Sequence, residues 1–371
     1  MVPYLLVGLV AAVITFVATP IVRMVAIRIR AIDYPSDRKV HAYPTPTLGG
    51  LAIFAGIIGA GLVALNMHEF SDIFERTSEP IGIFAAAAVI FVLGFVDDYR
   101  DLPAPVKLAG QIFAAGILFL SGVKMQFILL PNQEYFFVSD DVSVIVTVVW
   151  LVATINAVNL IDGLDGLAAG IVAIAAASFF VYTFRLYEAD VTFAYISSAP
   201  LVSIVVVGAC LGFLRHNFHP AKIFMGDSGA MLLGLVLGAA TISGIGDVPP
   251  PEIGGAQVFL AYFPLLIPAM VLALPILDAL FAIVRRARQR RSVFNADKEH
   301  IHHRLMDLGH GHRQAVIVMY IWSALAAGAG LAFTFFDRND VIFALPVAVG
   351  AIVLYTLFPV LTKYINQRTA P

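Results

Sequence analysis

Long apolar runs separated by short polar loops dominate this chain. A bilayer-crossing helix needs about 20 apolar residues, and on that length the runs predict eleven helices. They fall at roughly 2–24, 47–67, 81–96, 105–123, 142–159, 166–184, 195–214, 228–245, 257–284, 315–336 and 341–362. The runs at 81–96 and 142–159 are short for a span, so ten is the alternative count. The predicted fold class is all-α: a polytopic membrane protein in which residues 1–371 form one integral membrane domain. No low-complexity tract, repeat or soluble domain interrupts the series.

Composition sharpens this reading. The chain is 60% hydrophobic and 13% charged, whereas soluble domains carry about 25% charged residues. Its net charge of −2 gives no global basic field for nucleic acid. The single cysteine, Cys210, excludes an internal disulfide and reads as a small buried side chain in an apolar run.

Charge placement then orients the chain. No basic stretch precedes the first apolar run, and Arg23, Arg28 and Arg30 follow it, which predicts an uncleaved helix with its N-terminus outside. With eleven spans the C-terminus is then cytoplasmic. All of the 23 basic residues except Arg76, Lys124, Arg185 and Arg338 fall inside, as do all of the 9 histidines except His68. Acids of the expected outer loops, Glu79 among them, read as solvated charge. Asp97, Asp98, Asp101, Asp162, Asp165 and Asp227 collect with the bases and imidazoles at the inner face, where chemistry is to be sought.

Three stretches concentrate that chemistry. "GFVDDYRDLPAPVK" puts Asp97 and Asp98 at the membrane surface and Lys107 one turn into the next helix. Adjacent carboxylates repel and want a cation or a shared proton; a solvated interfacial turn is the plainer alternative. In "NAVNLIDGLDGLAAG", Asn156, Asn159, Asp162 and Asp165 recur every third residue, and Gly163 and Gly166 break the helix. Irregular backbone at this depth must be buried in protein or line an aqueous cavity. Asn and Asp offer the oxygen ligands Mg²⁺ prefers, and free amides suit phosphate, while a structural polar cap is the other reading. Asn156 sits deepest and reads as a hydrogen-bonding partner for a neighbouring helix. "FMGDSGAMLLG" places Asp227 at a helix N-terminus, as an N-cap, a metal carboxylate or both.

The longest inner loop, "RRARQRRSVFNADKEHIHHRLMDLGHGHR", adds arginines and then His300, His302 and His303. Arginine forks and imidazoles suit phosphate; zinc is the weaker option beside so many hard oxygen ligands. "YPSDRKVHAYPTPTLGG" contributes Asp37, Arg38, Lys39 and His41 on the same face. Asp278, inside the ninth run, reads as a structural partner of Arg285 and Arg286 or of a neighbouring helix.

Taken in order, "DRKVH", "DDYRDLPAPVK", "NAVNLIDGLDGLAAG", "FMGDSGA" and "RR…DKEHIHHRL" resemble the polyprenyl-phosphate N-acetylhexosamine-1-phosphate transferase family over most of the chain. The resemblance implies transfer of N-acetylglucosamine 1-phosphate from UDP-GlcNAc to undecaprenyl phosphate with release of UMP, at the bacterial inner (plasma) membrane. "HIHHRL" is similar to the branch that initiates teichoic acid, O-antigen or related polymers. Ile301 within the cluster and Arg304 after it speak against the phospho-MurNAc-pentapeptide branch.

Carried over by position, the resemblance implies that Asp227 is the main Mg²⁺ carboxylate, with Asn159 and Asp162 near metal and diphosphate; Mn²⁺ is an alternative ion. It implies that Asp165 and Phe224 hold uracil, Asp97 orients or deprotonates the lipid phosphate, Asp98 neighbours the metal, and Lys107 contacts phosphate. His300, His302, His303, Arg285 and Arg286 would close over the diphosphate and sugar. The implied partners are UDP-GlcNAc, undecaprenyl phosphate and the lipid bilayer, compatible with a homodimer. From other classes, an intramembrane aspartyl protease would need two carboxylates and no metal, and an ion-coupled transporter would need acids near the bilayer midplane.

Overall fold

The computed structural model of the protein describes residues 1–35, 43–129, 135–188, 197–244, 308–336 and 338–369, with positions 266, 269, 270, 305 and 306. The first helices are α1 (Val2–Arg28), α2 (Gly49–Leu65), α3 (Ser71–Arg76), α4 (Glu79–Arg100), α5 (Ala104–Leu120) and α6 (Asp140–Ile161). After them come α7 (Leu167–Glu188), α8 (Ala199–Asn217), α9 (Gly226–Ser243), α10 (His312–Phe335) and α11 (Arg338–Thr369). Two short antiparallel hairpins, Ile32–Asp33 with Thr45–Pro46 and Phe127–Leu129 with Tyr135–Phe137, punctuate the loops of an otherwise all-helical chain.

Ten of the eleven runs expected from the sequence are therefore helices among the described residues. The ninth, 257–284, lies largely outside them, and so does Asp278. Eight described helices are long and apolar enough to cross a membrane, and α2 with the short helix bent 95° from it makes a ninth candidate. The expectation of short spans at 81–96 and 142–159 is corrected: α4 and α6 each have 22 residues, because α4 starts at Glu79 and continues through Asp97 and Asp98 to Arg100, and α6 starts at Asp140 and runs on to Ile161. The short apolar helices among the described residues are α2 and α5, each with 17 residues.

Helix α9 is the axis of the bundle. Every residue from Ser228 to Ser243 is buried, and α2, α4, α6, α7 and α8 all pack against it. Lipid gives helices no hydrophobic reason to associate, so close backbone approach has to supply the contact. Gly94 of α4 provides it, since a Cβ there would lie 2.5 Å from Ser228 Cα. Outward faces carry the opposite composition, with Leu9, Phe16, Val149, Phe343 and Val347 exposed, as expected where hydrocarbon is the solvent. Cys210 is buried in α8, as expected of it.

One charge is not where the sequence put it. Glu79, expected as solvated loop charge, accepts hydrogen bonds from the Ser198 and Ser243 hydroxyls. It opens α4 where the start of α8 and the end of α9 converge, so the carboxylate joins three helices at the end of the bundle opposite Asp227.

Candidate functional site

The ends of α4, α6 and α8 meet the starts of α2, α5, α7, α9 and α10 on one face, and the polar motifs converge there. Helix α4 stops at Asp101, whose backbone turns left-handed (φ 51°), and Pro103 and Pro105 restart the chain as α5. This corner aims Asp97 and Asp98 at different partners. Asp97 is buried; its Oδ1 accepts from the Leu102 N–H at 2.7 Å, and its Oδ2 pairs with the Lys107 ammonium. Lys107 also reaches Asp227 Oδ2 at 3.2 Å, so one cation bridges two carboxylates from separate helices.

Asp98 instead seals the start of α9. Its Oδ1 accepts from the Asp227 N–H at 2.7 Å, and its Oδ2 accepts from the Ser228 N–H at 3.2 Å and the Ser228 hydroxyl at 2.7 Å. A helix leaves its first N–H groups unpaired and carries partial positive charge there, and a carboxylate from α4 answers both. Gly226, with φ +74°, makes this approach possible, because a Cβ would come within 2.6 Å of the Asp98 carboxylate. Asp227 follows directly, in the first turn of α9.

The linker between α6 and α7 supplies the second wall. Asn156 donates to Gln111 Oε1 at 2.8 Å and to its own helix at Val152 O, the inter-helix partnership expected of it. Asn159 is half-buried in the last turn, and its carbonyl receives the Asp162 N–H. Gly166, at φ +78°, redirects the chain into α7; its N–H is fixed by Asn217 Oδ1 and its carbonyl by the Tyr320 hydroxyl. Between these points Asp165 is buried, and its Oδ2 accepts from the Ala221 N–H at 3.0 Å and contacts His219 Nδ1 at 2.7 Å. His219 stacks on His312 with ring centroids 4.2 Å apart. Backbone hydrogen bonds pin the Phe224 segment to the start of α2, from Gly49 N–H to Phe224 O and from Gly50 N–H to Met225 O.

Electrostatics at this face call for a cation. Burial pushes the Asp162 carboxyl up to about 8, and the nearby charges of Asp227, Asp98 and Asp165 push the same way. Among the described residues, Lys107 pairs with Asp97 and Asp227, and His219 with Asp165. The donors Asp162, Asp227 and Asn159 are hard oxygen ligands, the chemistry that a small divalent ion such as Mg²⁺ takes.

Comparison with known proteins decides the lineage. Residues 80–245 match the family described as glycosyl transferase family 4. The chain is 42% identical over 363 residues to a decaprenyl-phosphate N-acetylglucosaminephosphotransferase of Mycolicibacterium smegmatis, covering 96% of this chain and 89% of that protein. A probable undecaprenyl-phosphate N-acetylglucosaminyl 1-phosphate transferase of Bacillus subtilis is 38% identical over 84% of this chain and 80% of its own length. The chain belongs to the polyprenyl-phosphate N-acetylhexosamine-1-phosphate transferase family. It also matches a phospho-N-acetylmuramoyl-pentapeptide-transferase of Desulforudis audaxviator at 31% identity, over 87% of this chain and 95% of that one.

As a member of this transferase family, the protein is a multi-pass membrane enzyme. Of the residues expected from sequence, the fold brings Asp97, Asp98, Lys107, Asp162, Asp165 and Asp227 into mutual contact or electrostatic range, with Asn159 and Phe224 on the same face. Arg285, Arg286, His300, His302 and His303 lie outside the described residues, as do Asp37, Arg38, Lys39 and His41. Sequence reasoning gave no role to Ser228, Asn217, His219, His312 or Tyr320. The polar "RHNFHP" stretch, coming directly before "FMGDSGA", was the available signal for Asn217 and His219.

Proposed function

We propose that the transferase moves N-acetylglucosamine 1-phosphate from UDP-GlcNAc to a polyprenyl phosphate at the cytoplasmic face of the plasma membrane. The product is the polyprenyl-diphosphate sugar, with UMP released. The names of the similar proteins divide between decaprenyl and undecaprenyl acceptors, so both are candidate lipids. The observation that carries the reading is Lys107, held between Asp97 and Asp227 at the N-terminus of α9, with Asp227 in electrostatic range of Asp162 in the linker. Phosphoryl transfer needs charge neutralisation and in-line positioning more than covalent help, and this arrangement is suited to both.

In the single displacement proposed, a lipid phosphate oxygen attacks the β-phosphorus of UDP-GlcNAc, and the bond to the bridging oxygen breaks as UMP leaves. Asp227, with Asn159 and Asp162, would hold Mg²⁺ or Mn²⁺, which when bound neutralises phosphate charge. Lys107 contacts a phosphate oxygen, and buried Asp97 orients the ammonium. A phosphate monoester is already largely ionised at neutral pH, so Asp97 is assigned orientation before base catalysis. Asp165 fits a uracil acceptor: His219 and the Ala221 amide occupy its Oδ2, leaving Oδ1 without a partner among the described residues and available to the N3–H of the base, with Phe224 to stack.

The decisive assay uses purified protein, labelled UDP-GlcNAc, undecaprenyl or decaprenyl phosphate, and Mg²⁺. Equal release of UMP and formation of lipid-linked label is expected, abolished by chelation and restored by Mg²⁺. Turnover that persists after complete metal removal, or none with UDP-GlcNAc, refutes the reading, and a trapped covalent phospho-sugar on the enzyme refutes the single displacement. A parallel arm with UDP-MurNAc-pentapeptide tests the other branch, whose similar protein matches at lower identity. Downstream, the lipid-linked product suits initiation of an envelope glycan such as teichoic acid or O-antigen.

Asp165→Ala separates binding from chemistry. Loss of a hydrogen bond to a charged group costs about 1.5–3 kcal/mol, so the KM for UDP-GlcNAc should rise roughly ten- to a hundred-fold with a smaller change in kcat. An unchanged KM would remove Asp165 from the nucleobase site.

A further inference from the structure

Beside the carboxylate cluster, an open cavity of about 570 Å³ lies between the end of α8 and the start of α10. Asp165 does not line it, although its partner His219 does. One wall is basic, with Arg215, Lys222 and Arg313, and none of the three is paired with a carboxylate among the described residues. Arg23 of α1 adds a fourth cation at the rim, its Nε donating to the Lys222 carbonyl at 3.0 Å. His216 also lines the space, and its Nε2 is buried without a partner among the described residues. The apolar wall is made by Leu211 and Leu214 of α8 with Phe218 and Pro220, and Leu211, one turn before Arg215, is 55% exposed on the outside of the bundle.

Like charges brought together with no carboxylate paired to them among the described residues repel, and each would gain from a shared anion through charge-assisted hydrogen bonds. Positive-inside anchoring accounts for arginines scattered along a face. It does not account for a cavity that joins three of the cations to an apolar wall open to the outside of the bundle. A ligand that complements both walls has an anionic phosphate at one end and hydrocarbon at the other.

We propose that this cavity holds the phosphate headgroup of an anionic phospholipid, with an acyl chain lying along Leu211 and Leu214. The cavity adjoins the carboxylate cluster through His219, but the proposal does not rest on the substrate assignment. Basic residues near a membrane surface each strengthen binding of anionic lipid by about five-fold, so removing two should weaken it at least ten-fold.

The experiment is native mass spectrometry of the full chain in detergent, titrated with phosphatidylglycerol or phosphatidylcholine. Wild type should retain phosphatidylglycerol over phosphatidylcholine, and Arg215→Gln with Lys222→Gln should lose that preference by ten-fold or more. Arg215→Lys with Lys222→Arg should keep it, and Arg28→Gln with Arg30→Gln, on the same face but outside the cavity, should leave it unchanged. If the double glutamine variant does not give a monodisperse, cooperatively melting protein, Arg313→Gln reads the same effect from α10. An unaltered preference after removal of the cavity cations, or an equal loss from Arg28 and Arg30, overturns the proposal. Displacement of the lipid by millimolar inorganic phosphate would assign the cavity to a free anion, and displacement by UDP-GlcNAc would assign it to the donor; either result overturns the lipid assignment. Because the readout is lipid retention, a failed transferase assay leaves this test intact.

Discussion

Asp227→Asn is expected to lower turnover by about 10³-fold while the protein stays folded. The carboxylate occupies the first turn of α9, within 3.2 Å of the Lys107 ammonium, with Asp162 in electrostatic range. Its fold-bearing contact is made by the backbone, since the Asp227 N–H donates to Asp98, and asparagine keeps that N–H and the side-chain volume. What asparagine removes is the negative charge that would hold a divalent ion against the diphosphate. Losing one preorganised electrostatic element of this kind costs about 10²–10³-fold, and loss of the ion would add to it. Turnover measured across a Mg²⁺ titration, with a melting curve as the fold control, decides the matter. A rate within ten-fold of wild type at ordinary Mg²⁺ would remove Asp227 from the metal site.

The helices were readable because hydrocarbon enforces them: every span must be a long apolar run with its backbone satisfied internally. Boundaries at the site were less readable for a related reason. Asp97 and Asp98 look like loop residues in a one-dimensional pattern, yet they continue α4 because bundle partners, namely Lys107 and the start of α9, meet their side chains. Glu79 was misread for the same reason, its serine partners coming from α8 and α9. The candidate chemistry was readable as a set, since acids, amides and one lysine recur on a single face. Division of labour within it was not. Two neighbouring aspartates are equivalent in sequence, and only the left-handed turn at Asp101 and the docking of α9 send Asp97 to a lysine and Asp98 to a helix terminus. The Asp165–His219–His312 group has no local signature either, because α7, α8 and α10 must pack before its members meet.

That division makes Asp98→Ala the second large effect, expected chiefly in stability. The substitution removes three hydrogen bonds to the start of α9 and strands the Asp227 and Ser228 N–H groups along with the Ser228 hydroxyl, in a residue that is 0% exposed. Leaving a buried donor unsatisfied costs about 1–3 kcal/mol, so a loss of roughly 2–5 kcal/mol is expected for the group as a whole, with a lowered Tm in detergent. Ser228→Ala removes only the hydroxyl and should cost about 1 kcal/mol. In a double-mutant cycle the two should be strongly non-additive, because they delete the same contact. Activity of Asp98→Ala should fall as well, through misplacement of Asp227 against Lys107, and added Mg²⁺ should not restore it. A metal-neighbouring role for Asp98 makes the opposite forecast: near wild-type Tm, with a loss of turnover that high Mg²⁺ relieves. Tm and Mg²⁺ dependence measured on the same preparation therefore distinguish a carboxylate that holds a helix from one that serves the ion.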